Sequence, residues 1–435
     1  MAGLPNNRTP KLGPWPLGVN NLAPEGNLPL NEYGTRPVAL READNIDLTK
    51  EGTPRRRRGY TSVLSSSMAH SGWSCPGMRH GFFVDDGSLK VFQPDSEPLD
   101  LGVQVGNKPL SYTQVDGLTL FSNSDVSGVI DRNLVVRPWA VQTPAGPPTA
   151  RAVDGYGMDK GQYLVALAFI DDLGRESPLS QVAVVDLADG QGIELIFNEG
   201  FMGFAAVYTS HANDQVLRRG SVVPVAAGAV SLLTTPANGL ANTERVLAQI
   251  PPGQITRYAS GRHWVAIGDA LVWSIPLRPG VFDPELAYAR FDSPITMVEF
   301  VGAGAGGAGV YVGTEKAVYW LDGADPALFR KTDVYGHGVV RGTALYVPAK
   351  SLGGQGSDDV LVFMTRDGQY CAGNDGGQVT PMHTDRTAMD VAAEGAALYM
   401  ERDGMKQVVT SLKGARPNGM ATTDKAVAHV IHREI

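Results

Sequence analysis

The sequence predicts an all-β protein: a propeller-like meander of hairpins interrupted by an inserted β-sandwich of the immunoglobulin or fibronectin type. Three observations predict it. Glycine and proline are abundant, 52 and 29 of 435 residues, while charged residues make up only 19%; this suits short strands joined by turns and disfavours long helices. Turn pairs of the Asp-Gly kind recur between short runs of β-branched and aromatic residues. No long heptad or 3.6-residue period appears.

The chain exceeds the size at which one hydrophobic core stops growing, so more than one packed unit is expected. Residues 1–35, rich in Pro, Gly and Asn, read as an extended N-terminal arm. Residues 36–146 form a first propeller part. Val38, Leu40, Ala43, Ile46 and Leu48 suit an entering strand, LTKEGTP a turn, and Gly59–Tyr60 the start of a short strand. Hairpin turns follow at Asp86–Gly87 and Asp116–Gly117, where both central residues need positive φ. After the Pro-rich AVQTPAGPPTARAV, residues 147–250 form the inserted sandwich. There Tyr163, Val165, Leu167 and Phe169 alternate with Leu164, Ala166 and Ala168, so both faces of one strand are apolar. The second propeller part, 251–435, has turns at Gly268–Asp269, Gly313–Thr314, Asp367–Gly368 and Asp403–Gly404. Their irregular spacing makes this a repeat of shape, not of a fixed motif. The closing segment ATTDKAVAHVIHREI fits either a short helix or a final strand that pairs with an N-terminal one.

A formal net charge of −8 argues against general affinity for nucleic acid, which needs a basic surface. It is compatible with a wall past which DNA slides, since an acidic lining would repel phosphates and prevent sticking. Cys75 and Cys371 stand far apart, with no metal-ligand spacing around them, so no disulfide framework or structural zinc is expected. The first residues hold no apolar run of the signal-peptide kind. Apolar stretches such as Tyr163 to Ile170 have strand length, well below the ~20 residues of a membrane span.

Chemistry-bearing motifs are weak. The run Arg55, Arg56, Arg57 and Arg58 reads as a solvated or intersubunit charge cluster rather than a DNA patch, because the rest of the chain is acidic. Gly302, Gly304 and Gly307 spell GxGxxG, with Asp322 downstream, but strand-like sequence follows where a dinucleotide site needs a helix. His80, His211, His263, His337 and His383 lack partners at ligand or nucleophile spacing, and no GxSxG elbow surrounds Ser260. The pairs Asp85–Asp86, Asp171–Asp172 and Asp358–Asp359 read as turn residues. Trp264, Trp273 and Trp320 read as core. No catalytic residue, metal ligand or cofactor is expected.

Two blocks resemble a family of tailed-phage virion proteins. The first follows the segment LGVNN. In it Arg41, Ala43, Asn45, Ile46, Asp47, Leu48, Gly52, Arg56, Arg57, Arg58, Gly59 and Tyr60 fit the family's opening element, with the arginine run starting one residue early at Arg55. The second block carries Gly161, Tyr163, Phe169, Gly174, Glu176, Ser177, Pro178 and Ser180. The resemblance implies a β-propeller subunit of the tail nozzle, the head–tail DNA-stabilising region or the tail tip. Such a subunit is made in the host cytoplasm and built into the virion as a homo-oligomeric ring, such as a hexamer, against neighbouring tail or connector proteins. Genomic DNA would pass without sequence-specific binding, and no enzymatic activity is implied. The rival readings are a receptor- or glycan-binding peripheral tail protein and a polysaccharide depolymerase.

Overall fold

The structure, a computed structural model, describes residues 13–432 except 44–45, 50–51, 57–65, 67, 76, 95, 156, 198–199, 235–238, 240, 243–246, 303–308, 324, 353–358, 383–386, 388–391, 403–404 and 414–426. Among the described residues every helical element is a short 3-10 turn and the rest of the regular structure is strand. No helix among them is long and apolar enough to cross a membrane. The chain divides into two compact units, Ser67–Arg290 and Met1–Ser66 with Phe291–Ile435. Each is described in turn.

The Ser67–Arg290 unit begins with two four-stranded antiparallel sheets. The first takes His70–Trp73, Gly81–Asp85, Ser88–Phe92 and Leu99–Gln104; the second takes Ser111–Val115, Leu118–Ser122, Ser127–Ile130 and Val136–Arg137. In each, strands consecutive in sequence are neighbours in the sheet. The turns at Asp86–Gly87 and Asp116–Gly117 hold φ of 51° and 76°, and of 49° and 79°, the left-handed pairs that a two-residue hairpin requires. The two sheets bury Phe82, Val84, Leu89, Tyr112, Phe121 and Ile130 together. A third sheet of this kind, Ile255–Ala259, Arg262–Ile267, Ala270–Trp273 and Tyr288–Arg290, follows the insertion. It is stitched to the second by hydroxyls. Ser122 Oγ accepts the Gly253 N–H at 3.0 Å and donates to the Gly253 carbonyl at 2.8 Å. Thr113 Oγ1 accepts the Tyr258 N–H at 3.0 Å.

The inserted sandwich has a three-stranded sheet, Thr149–Asp154, Gln191–Ile196 and Ala229–Leu232, facing a four-stranded one, Ala183–Leu187, Gly161–Ile170, Phe204–Thr209 and Arg218–Pro224. Tyr163, Val165 and Leu167 point between them and pack with Ile193, Leu195 and Val207. The opposite face of the same strand is covered too, Ala166 and Ala168 being fully buried. Ala183–Leu187 pairs only with residues 161–165 of the long strand. Along its second half, Ser177 and Ser180 substitute for a neighbouring strand. Their Oγ atoms accept the Phe169 and Leu167 N–H groups at 2.9 and 3.0 Å, and their own N–H groups donate back to the same residues' carbonyls at 2.8 Å.

In the other unit the sheets are Ile295–Val301, Gly309–Thr314, Val318–Asp322 and Arg330–Tyr335; then Leu345–Pro348, Asp359–Met364, Tyr370–Gly373 and Val379–Pro381; then Gly395–Arg402, Met405–Leu412 and Val427–His432. Tyr311, Trp320, Leu361, Phe363 and Cys371 form a core between the first two, and Val347, Val362, Tyr370 and Leu412 one between the second and third. The N-terminal residues lean on the hairpin Ile46–Leu48/Pro54–Arg56: Trp15 N–H donates to Gly52 O at 2.8 Å, and Val19 bridges Leu40 in parallel.

Some local expectations change. The turn expected at Gly313–Thr314 falls at Glu315–Lys316, because Gly313 and Thr314 are strand residues and the Thr314 hydroxyl accepts the N–H groups of Lys316 and Ala317 at 3.2 and 3.0 Å. Among the described residues the entering strand covers Ile46–Leu48. The closing segment forms a strand over Val427–His432 that pairs with Met405–Leu412, and among the described residues it pairs with no N-terminal strand. The Asp403–Gly404 turn and Gly59–Tyr60 lie outside the described residues. The fold is all-β, a propeller-like succession of four-stranded meanders interrupted by a sandwich.

Ser177 is 1% exposed, so truncating it strands a buried N–H group, at a cost of about 1–3 kcal/mol. Ser177→Ala is expected to lower the urea midpoint by a corresponding amount, and Ser177→Thr, which keeps the oxygen, by less.

Candidate functional site

The Ser67–Arg290 unit holds a cleft of about 450 Å³ between the sandwich and the loop after Ala270–Trp273. On the sandwich side, Asp171 organises the turn that follows the long strand. Its Oδ1 accepts the N–H groups of Leu173 and Arg175 at 3.1 and 2.9 Å, and its Oδ2 meets the Arg175 guanidinium at 2.6 Å. Arg175 also donates through Nη1 to the carbonyls of Pro138 and Trp139 at 3.0 and 3.3 Å. Arg137 reaches Asp172 at 2.9 Å. The turn is thus fastened to residues 137–139.

Glu176 comes next. Tyr208 and Arg219 are register partners across two adjacent strands, which places their side chains on one face of the sheet. The Tyr208 hydroxyl donates to Glu176 Oε1 at 2.6 Å and Arg219 Nη2 to Oε2 at 3.2 Å. Burial first, and the carboxylate it faces second, push the Tyr208 phenol above its ordinary pKa. Tyr208 therefore stays protonated and keeps donating.

The opposing loop is held by backbone. Leu277 donates its N–H to Gly261 O at 2.8 Å in a left-handed conformation, φ 58°, with its side chain 77% exposed. For a bulky residue this costs about 1–3 kcal/mol. Arg278 Nη2 crosses to the carbonyls of Glu176 and Ser177 at 3.3 and 3.2 Å. Gly280 has φ 82°, and a Cβ there would meet Trp139 O at 2.8 Å, so only glycine fits. Its N–H donates to His263 Nδ1 at 3.2 Å. The ring proton therefore sits on Nε2, which donates to Thr256 Oγ1 at 2.7 Å. Trp139 packs edge-on against this imidazole, ring centroids 4.7 Å apart. His263 is fully buried, and burial lowers its pKa to about 3. A permanently neutral histidine thus supports the Trp139 wall and the loop of Leu277 and Arg278.

Apart from Asp171, Asp172 and His263, which brace the cleft walls, the sequence-derived candidates among the described residues lie elsewhere. Arg55 and Arg56 are exposed on the strand Pro54–Arg56, with Arg55 opposite Asp47 in register; Arg57 and Arg58 lie outside the described residues. Gly302 has φ 73°, residues 303–308 are not described, and from Gly309 the chain is a strand paired back onto Ile295–Val301. A strand stands where the cofactor motif requires a helix. Trp264, Trp273 and Trp320 are buried core. In the other unit, Asp367 accepts from Tyr335 at 3.0 Å and Thr365 at 2.5 Å, with His337 Nε2 at 3.8 Å. The neighbouring Cys371 is fully buried, and burial raises its thiol to about 11, so this cluster has no thiolate at neutral pH. Among the described residues no group of three or more His, Cys, Asp or Glu is placed to hold a metal ion. Of the cleft residues, sequence reasoning singled out Gly174 and Glu176, as part of the second resemblance block and not as a site, and missed Trp139, Arg175, Tyr208, Arg219 and Arg278.

The His263 environment has a pH consequence. Burial holds its folded pKa at about 3, below the ordinary histidine value of 6.5, so between those limits the unfolded chain binds the extra proton. Its contribution is complete above pH 6.5 and is lost as pH falls toward 3, at about 1.4 kcal/mol per pH unit. Denaturation series from pH 7 to 4 are expected to show a shallower decline for His263→Gln than for the parent chain.

No family model and no curated protein sequence matches the chain. Solved structures that it resembles include the N-terminal domain of BBS1 in complex with ARL6, in lead- and mercury-soaked crystals. Both are 10% identical, with TM-scores of 0.31 and 0.30, over 81% of this chain and 90% of that one. The N-terminal domain of Nup159 matches at 9% identity and TM-score 0.29, over 77% and 71% of the two chains. At these scores the likeness carries no argument about function.

Proposed function

We propose that the chain is a non-enzymatic structural component of a tailed-phage tail or head–tail junction, assembled as a ring of copies around the DNA path. The observation that carries this reading is the part played by the second resemblance block. Tyr163 and Phe169 fill core, the Tyr163 hydroxyl ties to Asp159 O at 2.9 Å, Glu176 joins the sandwich strands, and Ser177 and Ser180 complete backbone bonding. Each residue does architectural work, as suits a subunit whose task is shape. The first block adds the hairpin with the exposed Arg55 and Arg56. Permanently charged guanidinium forks there suit carboxylates on a neighbouring copy. The net charge of −8 suits a passage that does not retain DNA.

Light scattering and negative-stain images of the purified chain are expected to give a ring of several copies, and labelled antibodies to mark the tail of virions. A strictly monomeric protein absent from particles would overturn the proposal. Reversing all four charges of Arg55 to Arg58 to glutamate is expected to dissociate the ring while leaving the circular dichroism spectrum unchanged.

A further inference from the structure

The ring reading makes no use of the cleft in the Ser67–Arg290 unit, whose lining carries hydrogen-bond donors and acceptors. Its volume of about 450 Å³ falls within the roughly 300–1,000 Å³ of small-molecule sites. Acceptors and donors alternate on its lining: the Glu176 carboxylate between the Tyr208 hydroxyl and the Arg219 guanidinium, with the Asn242 amide also present. Arg219 bonds Glu176 and Tyr208 with part of the five N–H groups a guanidinium carries, which leaves donors for a ligand. The pairs Arg175–Asp171 and Arg219–Glu176 are matched charge for charge, and the third guanidinium of the lining, Arg278, is engaged by the Glu176 and Ser177 carbonyls, so the lining as a whole suits a ligand rich in hydroxyls. A hydroxyl donates and accepts at once, which fits a lining that does both.

The apolar side of the argument is Leu277. It lines the cleft in a left-handed conformation, with its side chain 77% exposed. Backbone strain spent on presenting an apolar side chain to solvent at the mouth of a cavity points to something that covers it. A sugar ring offers both surfaces, hydroxyls at its rim and C–H groups on its face.

We propose that this cleft binds one uncharged saccharide unit, with Arg219, Tyr208 and Glu176 holding hydroxyls and Leu277 packing on the ring. The site belongs to a single chain and stands whether or not the protein forms a ring.

Saturation-transfer NMR on the full chain, with free hexoses and N-acetylhexosamines at millimolar concentration, tests this. Transfer to at least one sugar is expected, with affinity reduced tenfold or more in Arg219→Gln. Leu277→Gly provides a second, independent measurement, since glycine relieves the strain and does not endanger folding. It is expected to raise the thermal midpoint and to weaken sugar binding. Absence of transfer from the parent chain would overturn the proposal, as would sugar binding unchanged in both variants. Acetate or inorganic phosphate perturbing the cleft while the sugars do not would also overturn it, in favour of an anion site.

Discussion

Short strands have many ends, and each end leaves backbone donors and acceptors that must be satisfied once buried. This constraint governs both units, and the chain meets it largely with hydroxyls. Ser122 closes onto Gly253, Ser210 onto Leu164, Ser274 onto His263, and Thr365 onto Gln369. Ser122, Ser210, Ser274 and Thr365 are all fully buried. A Ser or Thr oxygen accepts and donates with one short side chain, so it can stop a strand where a longer polar group would need more room. Removing such a hydroxyl exposes the constraint directly, because the orphaned amide has no route to water.

The walls of the cleft rest on the same economy. The sandwich turn after the long strand is built by Asp171 and then stapled to residues 137–139 through Arg137 and Arg175. Across from it, the loop after Ala270–Trp273 is fixed by the buried His263 and by Gly280 against Trp139. Two rigid walls with charged rims leave a concavity, and its character follows from the groups that made the walls rigid.

Much of the fold was legible because its signals are local. The Asp-Gly pairs at 86–87 and 116–117 adopt the paired left-handed angles their chemistry allows, and the doubly apolar strand Gly161–Ile170 is buried on both faces. The turn after Gly309–Thr314 was misplaced for an equally local reason. Gly313 is a packing glycine, where a Cβ would meet Val339 Cγ2 at 2.5 Å, and the turn forms through the Thr314 side chain, not through turn-favouring residues. The cleft as a site was not legible, although Gly174 and Glu176 stood in the second resemblance block. Glu176, Tyr208, Arg219 and Arg278 lie on separate loops and strands, and register, which no sequence period states, brings them together. The imidazole of His263 likewise looks in sequence like any scattered histidine.

The covering of residues 167–169 by Ser177 and Ser180 bears on how the protein behaves when crowded. A ten-residue apolar strand half-paired along one border would offer open amides and carbonyls to any extended segment, the route by which β-rich chains join border to border into aggregates. Two serines held in a non-strand loop occupy those groups without extending the sheet. The protein can therefore be crowded without this strand, the longest among the described residues, recruiting a stranger.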